Sequence, residues 1–262
     1  MPGDTVAHHP SGLEITFREA EHTYTDGTGR LYTSVTTLVK EAFPQFDAER
    51  AARTKEEKTG VPADEWIRRW AETAEAAAAS GTRMHENCER QILGQKENLN
   101  QPVNDEERLR FRAAWREVSR MQREFSSLKP EMVVFSPRFG VSGSIDCLAM
   151  SQDGGFTIID WKVVKEIRYE GFKGRTGTHP ATTGLQDSNY YHYALQLSTY
   201  EQILRLEGYV PQDARIARRL NVYRPDGRFE RMELPDLRYE ALLMMSWHAT
   251  EGMSNWSGKM AQ

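Results

Sequence analysis

The sequence predicts an α/β protein, a single medium-sized domain with appended elements, on three observations. Residues 47–93 and 105–128 are dominated by helix formers; residues 131–164 divide into three strand-like segments separated by turns; and from residue 188 onward helical and strand patterns alternate. A chain of 262 residues suits one such domain, or at most two small ones. Apolar residues make up 39% of it, with ten Phe, ten Tyr and six Trp, which is enough for a core.

In chain order, residues 1–12 are polar with Gly and Pro and read as a disordered lead. Ile15-Thr16-Phe17, His22-Thr23-Tyr24-Thr25 and Arg30-Leu31-Tyr32-Thr33 read as short strands, because Asp26-Gly27 between alternating residues is a strong hairpin signal. The segment from Ser34 to Val39 leads into a helix with a hydroxyl available to cap it. Gly60-Val61-Pro62 is the clear interruption in the helical stretch 47–93, while Ser80-Gly81 reads either as a second break or as a packed small-residue site.

Over residues 105–128, Phe111, Trp115, Val118 and Phe125 recur at helical spacing, and Arg108, Arg112, Arg116, Arg120 and Arg123 fall mostly elsewhere. This predicts one amphipathic helix with a basic outer side. Glu106, Glu107, Glu117 and Glu124 balance that side, so a solvated face competes with a phosphate-facing one. Pro130 changes the pattern: residues 131–136, 141–150 and 156–164 form a β-meander. A polar, Gly-rich loop at 169–186 follows, then a helix at 188–208, strands on either side of Pro225-Asp226-Gly227, and a final helix from Leu237 to about residue 251.

Several classes of protein are excluded. The net charge is -4, from 34 Lys+Arg against 38 Asp+Glu, so any surface for nucleic acid must be local. Two cysteines, Cys88 and Cys147, cannot alone build a disulfide framework, a structural zinc site or an iron–sulfur cluster, and read as buried thiols. No stretch approaches the roughly 18 apolar residues of a membrane span, and the N-terminus lacks the features of a signal peptide. A cytoplasmic setting, nucleoid or phage-infected host cell, is the expectation.

The chemistry lies in Gly143-Ser144-Ile145-Asp146 and Ile158-Ile159-Asp160-Trp161-Lys162. Alternation along a strand points Asp160 and Lys162 the same way and Trp161 into the opposite layer. A hairpin closing around Asp153-Gly154 brings Asp146 opposite Asp160, with Cβ atoms ~4.5–5.5 Å apart. Two carboxylates that close repel each other unless a divalent cation lies between them, and oxygen donors suit Mg²⁺ or Mn²⁺. Lys162 is then placed to orient or help deprotonate a water and to offset charge building up on a phosphorane. The plainer alternative, a surface salt bridge between Asp160 and Lys162 beside an unrelated Asp146, is weakened by the flanking apolar runs.

Glu131, Asp146 within G-S-I-D and the D-W-K at 160–162 resemble the core of the PD-(D/E)XK nuclease superfamily. Gly81-Thr82-Arg83-Met84-His85 resembles the G-x-x-x-H helix motif of its RecB-like exonuclease branch, and Gln196-Leu197-Ser198-Thr199-Tyr200 its Q-x-x-x-Y motif. His22 to Thr37 is similar to the lead of phage-type and mitochondrial genome maintenance exonucleases. The resemblance implies a mixed central sheet flanked by helices, here with an N-terminal β-hairpin and a helical insertion. It divides residues 13–262, a single nuclease domain, into an N-terminal part at 13–128 and a catalytic core at 129–262.

The resemblance also implies a site. Lys162, Asp160, Asp146 and Glu131 are the expected catalytic set; His85, Asp146, Asp160 and the Trp161 backbone carbonyl the metal ligands, for one or two Mg²⁺ or Mn²⁺ ions and no iron–sulfur cluster; Gln196, Tyr200, Arg83, Ser34 and Thr36 the substrate contacts. Gln196 and Tyr200, at i,i+4, share a helical face and suit either a phosphate or the steadying of Lys162. Glu86 and Glu89 are candidate partners for His85. The expected substrate is DNA, single-stranded or with a free end, in recombination, repair or phage replication, with no membrane and with a replication or recombination protein as a partner. A structure- or site-specific endonuclease and a catalytically silent DNA-binding subunit are the alternatives.

Overall fold

The computed structural model describes residues 4–18 and 21–259, with side chains through residue 250. Four short strands come first: β1 (Thr5–His8), β2 (Glu14–Arg18), β3 (Thr23–Asp26) and β4 (Leu31–Ser34). β1 lies inside the segment read as a disordered lead, and that expectation is corrected for its described part. Tertiary partners supply the order that the local sequence does not signal: β1 pairs with β2 from Thr5↔Phe17 to His8↔Glu14, and the adjoining buried His9 places Nε2 3.2 Å from Glu207 Oε2.

The caps set the helices. Ser34 Oγ accepts from Thr37 N at 3.0 Å and starts α1 (Val35–Glu41). Asp47 accepts from Arg50 N at the start of α2 (Ala48–Thr59), which ends on Gly60 at φ 70°, a left-handed conformation that favours glycine. α3 (Ala63–Ile92) runs unbroken through Ser80-Gly81; a Cβ on Gly81 would meet open space, while Ser80 Oγ accepts from Arg110 of the next helix at 2.9 Å, so the pair is not a break and only Ser80 makes the contact. α4 (Asp105–Glu124) is capped by Asn104. The helical reading of residues 125–128 is corrected: β5 (Phe125–Ser136) begins there, because Phe125 pairs with Ser151 and Leu128 with Ala149. Tertiary pairing overrides a local helical period.

After β6 (Val141–Ser151) and β7 (Phe156–Val163) come α5 (Asn189–Leu206), β8 (Ile216–Tyr223), β9 (Phe229–Glu233) and α6 (Arg238–Lys259). The strands form one mixed sheet in the order β1-β2-β3-β4-β6-β7-β8-β9, with β5 paired to β6; β4–β6 and β7–β8 are parallel and the other pairs antiparallel. Helices cover both faces. α1, α5 and α6 bury Leu38, Leu195, Leu197 and Met245 on one side, with Ile145 and Ile158 from the sheet. α3 and α4 bury Met84, Cys88, Val118 and Met121 on the other, with Cys147, Ile159 and Trp161. Both cysteines are free and buried. No helix among the described residues is long and apolar enough to cross a membrane.

One feature of the sheet positions the site. β5 pairs along the whole of β6, so β4 and β7 must share the other edge of that strand. β4 takes Val141 and Ser142, and β7 takes the strand from Cys147 onward. Residues 143–146 therefore have no strand partner on that edge, and β7 beyond Ile159 pairs only with β8. The sheet splits at Asp146 and Asp160.

Candidate active site

The split frees polar groups that a continuous ladder would consume. The β6–β7 pairing stops at Cys147↔Ile159, and the Asp146 side chain takes the next amide, Trp161 N donating to Oδ2 at 2.8 Å. Glu131 lies across from Asp146 on β5, between the pairs Pro130↔Cys147 and Met132↔Ile145. Its φ of 44° is left-handed, a conformation that costs an ordinary residue ~1–2 kcal/mol. Ser144 Oγ donates to Glu131 Oε2 at 2.8 Å and steadies the carboxylate in that strained position.

α3 closes the site from the other layer. Trp161 is wedged among Met84, Cys88 and Val118, which ties β7 to α3 and α4. One residue past Met84, His85 donates from Nε2 to the Trp161 carbonyl at 2.7 Å, and its Nδ1 lies 3.4 Å from Asp146 Oδ2. Ligand atoms of His85, Glu131 and Asp146 all fall within 4.8 Å of one another. An imidazole nitrogen and two carboxylates converging on one point, with the Trp161 carbonyl beside the imidazole, form a donor set that fits a divalent cation. Burial, then the Asp146 charge, pushes Glu131 up to about 8 against the opposing Ser144 hydrogen bond.

Asp160 and Lys162 form a separate pair beside the three. Lys162 Nζ donates to Asp160 Oδ1 at 2.9 Å and lies 2.8 Å from Oδ2. Burial pushes Asp160 up to about 6; Lys162 opposes that shift and Asp146 adds to it. For Lys162, burial disfavours the charge, but the Asp160 and Asp146 carboxylates outweigh it and hold the ammonium above its ordinary value. The Tyr193 ring lies under Nζ, 5.4 Å to its centroid.

The structure thus gathers His85, Glu131, Asp146 and the Trp161 carbonyl, and sets Asp160, the other expected metal ligand, against Lys162. Most of the expected substrate contacts are engaged elsewhere. Arg83 pairs with the buried Glu107 and braces α3 on α4. Ser34 spends its hydroxyl on the α1 cap, while Thr36 is exposed on the first turn, its Oγ1 3.0 Å from Ser34 Oγ. Gln196 and Tyr200 are buried. Gln196 Nε2 reaches Asp160 Oδ1 at 3.5 Å, a long contact, and hydrogen-bonds with Tyr200. A Cβ on Gly143 would sit 2.9 Å from the Tyr200 hydroxyl, which is why the G-S-I-D segment opens on glycine.

Glu86 turns to Asn100 and Arg90 rather than to His85, and the Glu89 charge is felt at Glu131. Sequence reasoning gave no role to Ser144 beside Glu131 or to Tyr193 beneath Lys162. The signal was present: Ser144 is two residues from Asp146 along one strand, and Tyr193 is three from Gln196 along one helix.

A split mixed sheet gathers carboxylates, an imidazole and a lysine at the split, the kinds of group that metal-assisted phosphodiester hydrolysis uses. A family model described as the PD-(D/E)XK nuclease superfamily matches residues 20–235, and the chain belongs to that superfamily. No curated protein matches the sequence. Among solved structures, one described as a "Putative exonuclease" from Eubacterium rectale is similar at 15% identity and a TM-score of 0.38, covering 63% of each chain. Another, SSO0001, is similar at 14% identity and a TM-score of 0.31, covering 83% of this chain and 74% of that one. The chain thus spans less than two thirds of the length of the Eubacterium rectale protein.

Proposed function

We propose that this nuclease is a Mg²⁺- or Mn²⁺-dependent deoxyribonuclease of the RecB-like type that degrades DNA from a free single-stranded end, in recombination, repair or phage replication. The observation that carries the reading is the convergence of His85, Glu131 and Asp146 beside the Asp160–Lys162 pair. His85, Asp146, Glu131 and the Trp161 carbonyl would hold the cation, and Asp160, now paired with Lys162, would be a further ligand. When bound, the cation supplies Lewis-acid polarisation of a phosphate and an acidified water.

The chain's own residues do the rest. Lys162, held as the ammonium, stabilises negative charge developing on the phosphoryl oxygens and helps orient the attacking water. Asp160 fixes Lys162, and Gln196 with Tyr200 supports Asp160 from the buried side, a positioning role in place of substrate contact. Residues 13–262 act as one nuclease domain, since α1 from the N-terminal part shares a core with α5 and the catalytic sheet.

The test is to incubate end-labelled single-stranded and duplex DNA with Mg²⁺ and resolve the products. Mononucleotides or short oligonucleotides released from ends support the reading. Internal cuts at fixed positions move it to a structure- or site-specific endonuclease, and binding without cleavage to a silent DNA-binding subunit.

A further inference from the structure

A groove of about 960 Å³ lies between α2 and the loop that joins β7 to α5. Six cations line it: Arg50, Lys55, Lys58, Arg168, Lys173 and Arg175. Three carboxylates oppose them, two already used. Asp47 caps α2, and Asp187 binds Arg175 at 2.7 Å and His192 at 3.1 Å; Glu170 is the third. Among the described residues, no carboxylate lies within ion-pair distance of Arg50, Lys55, Lys58 or Lys173. A local excess of positive charge on a chain of net charge -4 attracts a polyanion to this one place.

The groove also offers flat apolar surface. Phe46 is 69% exposed and Phe172 68% exposed, one on each wall. From Phe46 an aromatic row continues along the α2–α3 hairpin, 5.8 Å to Trp70 and a further 6.0 Å to Trp66, with Lys55 over the Trp66 ring at 5.3 Å. Cations interleaved with exposed rings are what unpaired bases on a phosphate backbone require; a duplex presents no free base faces.

The groove adjoins the chemistry. Its loop wall leaves β7 just after Lys162 and is stitched to the start of α5, where Asn189 Oδ1 accepts from Arg168 N at 2.8 Å. One turn along α5, Tyr193 carries Lys162 over its ring. The geometry points to a binding track for single-stranded DNA in this groove, bases stacking on Phe46 and Phe172 and phosphates on Lys55, Lys58 and Lys173, which delivers the strand to Lys162. This inference rests on the nuclease reading above and names where its substrate runs.

Fluorescence anisotropy with labelled dT15 in EDTA tests it with no need for cleavage. The double variant Lys58→Ala/Lys173→Ala is expected to raise Kd about tenfold and to lower the slope of log Kd against log salt by about 1.4, at ~0.7 per lost phosphate contact on a single strand. Phe172→Ala is expected to raise Kd about fivefold with the slope unchanged. The control Arg120→Ala/Arg123→Ala, which removes two exposed charges from α4 in the opposite layer, is expected to bind like the wild type. Wild-type Kd and slope in Lys58→Ala/Lys173→Ala, or an equal loss in the α4 control, would overturn the track. A wild-type protein that binds dT15 as described and cleaves no nucleic acid would remove the nuclease reading and leave the track standing.

Discussion

Lys162 is held by what surrounds it: both Asp160 oxygens within 2.9 Å of Nζ and the Tyr193 ring beneath it. A charge fixed before the reaction acts without reorganisation, so Lys162→Ala should lower kcat at least ~10²-fold. Metal binding should be retained, with the midpoint unmoved or shifted to lower metal, because Lys162 is outside the proposed ligand set and competes with a cation for Asp160; single-turnover cleavage across a Mg²⁺ series reads both, and a wild-type kcat would remove Lys162 from the chemistry. His85→Ala should do the reverse, moving the midpoint to higher metal while leaving the rate at saturation largely intact. An unchanged titration would make His85 a structural residue. That Asp146, Asp160 and Lys162 come together was legible in the sequence, because strand alternation puts Asp160 and Lys162 on one face and the hairpin at Asp153-Gly154 brings Asp146 opposite Asp160. The Asp160–Lys162 pair was open as the salt-bridge alternative, since spacing carries no information on which of two reachable partners a carboxylate takes.

Two element contacts hold the site in register, and each has a signature in stability. Gly143 lets β6 lie against Tyr200 of α5; Gly143→Ala forces a Cβ to 2.9 Å from the hydroxyl and 3.0 Å from the ring, and urea unfolding should show a loss of about 1–3 kcal/mol. Arg83 joins α3 to α4 through Glu107. Burial alone would raise the Glu107 carboxyl, but Arg83 and the Val103 amide outweigh it and hold it below its ordinary 4.5. A folded value below the unfolded one gives stability that is full above pH 4.5 and lost as pH falls through the depressed value. Arg83→Ala should therefore cost about 1–3 kcal/mol at neutral pH, a cost that shrinks in acid. An equal deficit at all pH values would show that the ion pair is not its source. The cap at Ser34 and the meander could be read from residue types. The start of β5 at Phe125 and the pairing of β1 could not, because both depend on partner strands distant in sequence.

At the scale of the whole molecule, a net charge of -4 gives no global electrostatic drive for wrapping duplex DNA, and the proposed nuclease would draw its substrate through a local positive surface. A strand threaded into the site needs an end, so linear single-stranded DNA should be degraded while the ligated circle of the same sequence resists. Equal rates on the two would favour endonuclease action. The class of fold, the order of elements and the site level were visible in the chain. The split of the sheet at residues 143–146 was not, because it arises from β4 and β7 sharing one edge of β6. The central claim is that the carboxylates at this split hold the metal that cleaves DNA, and Asp146→Asn tests it most directly by removing the charge and keeping the volume. Incubated with end-labelled DNA and Mg²⁺, the variant is predicted to bind DNA as the wild type does and release no product; cleavage at the wild-type rate would contradict the account.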